Sequence, residues 1–175
     1  MNHKSLFFKY VIPSIIAFAL SGIYAIVDGY FVGNTIGDAG LSAINIAYPI
    51  DALIQALGTG IGMGGAVYYS INAAEKKGKR AEEFIATSWW LLVIVSVIST
   101  IIIYSFSSKI LGLLGADGII LTNATDYIKI IALGAILQIL GTGMMPFIRN
   151  YGNSFWSMFA MVGGFITNIV LDFIF

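Results

Sequence analysis

A chain of 175 residues with 58% apolar and only 10% charged side chains departs far from soluble composition, where about a quarter of residues carry charge. No Cys and a single His, at position 3, exclude a disulfide scaffold, thiolate metal sites, Cys nucleophiles and a buried Ser-His-Asp relay. Nine Lys and Arg balance nine Asp and Glu, which leaves no basic footprint for nucleic acid. The composition predicts an all-α, polytopic membrane protein, not an enzyme, with no organic cofactor.

A hydrocarbon core of about 30 Å requires about 20 apolar residues of helix, so charge-free runs mark the spans. The first is expected over about residues 10–32, entered from Lys9 and interrupted at Asp28-Gly29-Tyr30. It is too long for a signal-peptide core and lacks a small-residue cleavage site. The second is expected over 41–74, with Pro49 kinking it and Asp51 inside the bilayer. A charged turn from Lys76 to Glu83 leads to a third span over 84–108, and Lys109 to Asp126 forms the longest outer connection. Asn123-Ala124-Thr125 fits a glycosylation sequon, but Asn and Thr ahead of Asp126 equally suit a cap on the fourth helix. The fourth and fifth spans are expected over 126–148 and 154–175, which makes residues 1–175 one membrane domain.

Seven of the nine basic residues, Lys4, Lys9, Lys76, Lys77, Lys79, Arg80 and Arg149, fall on one side of this arrangement. By the positive-inside rule that side, including the N-terminus, is cytoplasmic, in a plasma membrane crossed several times. Trp89, Trp90 and Trp156 then open spans three and five at the inner interface, where aromatic anchors are expected.

Three acids lie within spans: Asp28, Asp51 and Asp172. An ionisable side chain in hydrocarbon costs at least about 2.5 kcal/mol, so each requires a partner, an aqueous cavity or a function. Lys9 to Asp28 and Asn153 to Asp172 are both intervals of 19 residues, about 28 Å of helix. The two carboxylates are therefore expected at nearly one level, and Asn168 shares a helix face with Asp172 four residues later. Such a group of oxygens suits Na⁺ or H⁺ and no transition metal. An Asp near a span end can equally snorkel to the headgroups, and an Asn can simply bond a neighbouring helix. For Asp51, lining an aqueous cavity and marking a lower span boundary are equally good explanations.

Gly58, Gly60, Gly62, Gly64 and Gly65 are not followed by Lys-Ser or Lys-Thr, which removes a phosphate-cradling loop. Small residues at this spacing let helices approach closely.

Val27-Asp28-Gly29-Tyr30-Phe31-Val32-Gly33 resembles the "VDxxFVG" signature of multidrug and toxin extrusion (MATE) transporters. Ala47-Tyr48-Pro49-Ile50 is similar to their "aFPi", and Asn168-Ile169-Val170-Leu171-Asp172 to their "NIvLD". The resemblance covers nearly the whole chain. It implies two six-helix lobes around a cleft and export of organic cations against Na⁺ or H⁺. It further implies that Asp28, Asn168 and Asp172 bind the coupling cation. Asp51, Tyr30 and Gln55 are separate cavity-lining candidates, Asp51 and Tyr30 being departures from the family pattern. Five helices of an N-terminal lobe are expected here, in contact with membrane lipid and a small organic cation. The second lobe is expected from the same or a partner chain, the sequence being a fragment or a split product. A lipid-linked oligosaccharide flippase and a non-transporting membrane subunit are the alternative functions. The flippase is disfavoured because every Lys and Arg sits at a span end rather than facing a cavity.

Overall fold

A computed structural model describes residues 3–35, 37–152 and 154–174. Some side chains within the first and last helices, Asp28, Asn168 and Asp172 among them, lie outside the described residues. Five helices follow in chain order: α1, His3–Thr35; α2, Asp38–Ala74; α3, Gly78–Leu113; α4, Gly118–Asn150; and α5, Ser154–Ile174. No strand occurs among the described residues. The fold is all-α, as the composition predicts.

Helices α1, α3 and α4 extend past the apolar runs at both ends. Hydropathy marks where side chains suit lipid, whereas the backbone ladder continues through polar flanks rich in Lys, Glu and Ala, all good helix formers. Two expectations change in consequence. The charged turn shrinks to Glu75–Lys77, with Lys79 to Glu83 already helical, and the outer connection shrinks to Leu114–Asp117. Asn123 and Thr125 lie inside α4 and do not cap it, because the helix has begun five residues earlier, at Gly118.

Both turns close by one device. After α3, Ala116 N–H donates to Leu111 O at 3.0 Å and Gly115 N–H to Gly112 O at 3.1 Å, with Gly115 left-handed at φ +97°. After α2, Lys77 N–H donates to Asn72 O at 2.9 Å and Lys76 N–H to Ala73 O at 3.1 Å. This paired pattern satisfies carbonyls that a helix end leaves open, and it requires a left-handed residue between the bonds. Glycine fills that position after α3. After α2 it is Lys76, at φ +58°, which carries the steric cost of its Cβ.

The chain divides into two compact units, Asp38–Phe147 and Met1–Gly37 with Ile148–Phe175. In the first, each helix buries one narrow stripe. In α2 it is Gly40, Ala43, Ala47, Ile50, Ile54, Gly58, Gly62 and Ala66; in α4 it is Ala124, Ile128, Ala132, Ala135, Ile139, Gly143 and Phe147. Intervals of three and four keep each stripe on one side of its helix. Helix α3 contributes Ser88, Leu92, Ser96, Ile103, Ser107 and Leu111.

The contacts give the register of the three helices. A Cβ built on Gly58 would lie 2.8 Å from Ile139 O, one on Gly62 would lie 2.7 Å from Gly143 Cα, and one on Gly65 would lie 2.7 Å from Phe147 Cζ. Residue numbers rise together, so α2 and α4 run parallel. Helix α3 runs against both: Ser88 Cβ lies 3.0 Å from that Gly65 position, and Thr100 Oγ1 donates to Ala132 O at 3.0 Å. In the second unit α1 packs directly on α5. The end of α4 is fastened to α5 there, Arg149 Nε donating to the buried Ser157 Oγ at 3.0 Å.

The outward faces reverse soluble practice. On α4, Ile130, Leu133 and Leu137 are 72%, 64% and 76% exposed, while the buried stripe includes the small residues Ala124, Ala132, Ala135 and Gly143. Three successive turns of bare large aliphatics are unfavourable in water and favourable in lipid, where small residues mark helix contacts. Among the described residues, α2, α3 and α4 are long and apolar enough to cross a membrane.

Candidate functional site

Asp28 belongs to α1, and Asn168 and Asp172 belong to α5. These two helices are direct neighbours, with no helix between them. The side chains of all three lie outside the described residues. Tyr30, two residues beyond Asp28, is exposed, its ring meeting Phe31 edge-on with centroids 6.0 Å apart. Its carbonyl accepts a bond from Asn34 Nδ2 at 2.8 Å.

Asp51 and Gln55 lie on successive turns of α2. Gln55 is exposed, and Asp51 is half-buried. Gln138 Nε2 on α4 donates to Asp51 Oδ1 at 3.0 Å. An amide donor satisfies one carboxylate lone pair without adding charge. Immediately further along α4, Thr142 Oγ1 donates to Gln138 O at 2.7 Å and packs where a Gly58 side chain would otherwise be. Asp51 lies inside α2, thirteen residues beyond its start.

Gln138 is the residue that sequence reasoning passes over. Its signal is present: an amide in the middle of an apolar span calls for an interhelical partner. What the sequence lacks is the parallel register of α2 and α4, and hence which residue that partner is.

At the α2–α3 turn, Lys76, Lys77, Gly78, Lys79, Arg80 and Glu83 line a shallow, open pocket. Lys77 Nζ contacts Glu75 Oε2 at 2.7 Å. This hydrogen bond, with the charge of Lys77 behind it, holds the Glu75 carboxyl below the usual carboxylate range. The pair is exposed, where such contacts contribute little. Among the described residues, no three His, Cys, Asp or Glu side chains come together.

The sequence is 34% identical over 177 residues to the multidrug export protein MepA of Staphylococcus saprophyticus, covering 97% of this chain and 38% of that protein. It is 31% identical over 161 residues to MepA of Staphylococcus haemolyticus, covering 92% and 36%. Among solved structures, the MATE multidrug transporter DinF-BH superposes with a TM-score of 0.94 at 28% identity, over 99% of this chain and 39% of that one. An outward-facing multidrug resistance MATE family transporter of the MOP superfamily superposes with a TM-score of 0.90 at 26% identity, over 97% and 37%. The chain thus spans less than two-fifths of the length of these relatives. Residues 13–174 match the MatE family model, from within α1 to the end of α5, and the chain belongs to that family.

Proposed function

We propose that this chain forms part of the N-terminal lobe of a Na⁺- or H⁺-coupled antiporter that exports organic cations or drugs. Asp28, Asn168 and Asp172 hold the coupling cation in this reading, and a second lobe completes the transport path. The observation that carries it is the direct packing of α1 on α5, the two helices bearing these residues, with Asp28 and Asp172 lying 19 residues beyond Lys9 and Asn153 respectively. Membership of a family whose relatives include multidrug export proteins supports the same activity. The membrane is the cytoplasmic one and the N-terminus is inside, supported by seven of nine basic residues on that side.

The chemistry follows from low dielectric. Two carboxylates sharing a site out of water repel each other and lose hydration, and a small cation or proton between them relieves both penalties. Coupling then requires that the ion bind the two conformations of the lobe unequally, since equal affinity shifts no equilibrium. An ion entering from outside stabilises the packing that binds drug weakly, and the drug leaves.

In a complete transporter carrying this lobe, Asp28→Asn and Asp172→Asn should each abolish ion-driven drug efflux in membrane vesicles. Insertion should be unaffected, since a neutral amide is cheaper in the membrane than a carboxylate. Undiminished efflux from both variants would refute the assignment.

A further inference from the structure

Along α2, Tyr48, Asp51, Gln55 and Thr59 recur at intervals of three and four, which places them on one side of the helix. Other outward positions of α2 and α4 include large apolar side chains, among them Leu53, Met63, Val67, Ile130 and Leu133. A polar track on such a helix is costly against acyl chains, so this side suits an aqueous path. Within the track Asp51 carries the only formal charge. Gln138 bonds one of its oxygens at 3.0 Å, and among the described residues no Lys or Arg lies within ion-pairing distance of it.

The position of this carboxylate is built into the helix pair. The α2 and α4 backbones meet at Gly62 and Gly143, eleven and five residues beyond Asp51 and Gln138 along parallel helices. The Gln138 to Asp51 hydrogen bond reaches across the difference of six residues between these intervals and ties the two helices on this side of the seam. One turn before Asp51, the Tyr48 ring is exposed, and an aromatic face within reach of a carboxylate is suited to a bulky cation through its quadrupole.

We propose that Asp51, oriented by Gln138, is a recognition site for the positively charged nitrogen of an organic ammonium compound. This rests on the export reading above and adds a residue-level contact on α2 and α4, apart from the α1 and α5 residues assigned to the coupling ion. A metal cation fits less well. A hard cation seeks six or more oxygens, and among the described residues no three acidic or His side chains come together to supply them. An ammonium needs only the charge and a face to stack on.

The test is equilibrium binding of the fluorescent cation ethidium to the purified 175-residue chain in lipid nanodiscs, beside an uncharged phenanthridine of similar size. Asp51→Asn should weaken ethidium binding about tenfold or more while leaving the neutral compound unchanged, as loss of a partly desolvated charge contact requires. Asp51→Glu should retain binding within about threefold, and Gln138→Leu should give an intermediate loss. In the unsubstituted chain, ethidium should protect Asp51 from a lipophilic carbodiimide and NaCl should not, a measurement independent of how well the variants fold. Wild-type affinity in Asp51→Asn, equal loss for both compounds, absence of protection, or absence of saturable ethidium binding would each overturn the site. Asp51-dependent binding by the chain, with no ethidium efflux from a complete transporter, would uphold the site and remove the export reading. Efflux undiminished by Asp51→Asn would remove the site and keep the export reading.

Discussion

Lys76 shows what a single backbone torsion contributes. It occupies the left-handed position between the two bonds that close α2, at φ +58°, whereas the equivalent position after α3 is Gly115. That conformation costs an L-residue about 1–2 kcal/mol and glycine almost nothing. Lys76→Gly should therefore stabilise the chain by about 1 kcal/mol in reversible unfolding. A loss of stability would mean that the lysine side chain makes a contribution larger than its strain. Its charge was legible from the sequence as part of a charged turn between two spans. Its torsion was not, because the number of residues left for the turn depends on where the flanking helices stop, and hydropathy does not register that.

The glycines of α2 show the same limit at the level of a helix pair. Five of them within eight residues announce close packing, but not which side packs. The structure separates them. A Cβ at Gly62 would lie 2.7 Å from the Gly143 backbone, which has no side chain to swing away, whereas Gly60 and Gly64 have nothing within 4 Å. Gly62→Ala should destabilise by about 1–3 kcal/mol through overpacking. Gly64→Ala, on an open side of the same helix, should stabilise by about 0.5–1 kcal/mol, the ordinary preference of a helix for alanine. Thermal unfolding in one detergent compares the two; shifts of the same sign would contradict this register. The register also explains why Asp51 was recognisable as an intramembrane acid while Gln138 went unnoticed. Composition and spacing locate polar groups along one helix, and only the pairing of α2 with α4 says which of them meet.

Across the whole molecule, the governing feature is the reversal of inside and outside. Buried stripes mix Ala, Gly and Ser with Ile and Leu, while many further large apolar side chains lie on the outside, which makes lipid the solvent of the fold. Leu133→Lys on the bare face of α4 should cost about 2.5–3.5 kcal/mol of membrane insertion, measurable by glycosylation mapping of the inserted helix; unchanged insertion would place that face against protein or water instead. The class of the fold was readable from charge-free runs alone, and the family from the Val27–Gly33 and Asn168–Asp172 motifs. The proposed convergence of their acids depends on two helices some 140 residues apart in the chain, and local periodicity carries no information over that distance.

That convergence is directly measurable because the chain contains no cysteine. Introducing Asp28→Cys and Asp172→Cys together gives a single candidate pair, and oxidation joins two cysteines only when their Cα atoms come within about 7 Å. The account predicts rapid joining of this pair in membranes, by disulfide or by a short bis-thiol reagent. It also predicts little joining when Asp28→Cys is combined instead with Ile166→Cys or Val170→Cys, on other sides of α5. Failure of the Asp28→Cys and Asp172→Cys pair to join, with either of the other combinations joining readily, would contradict a shared cation site.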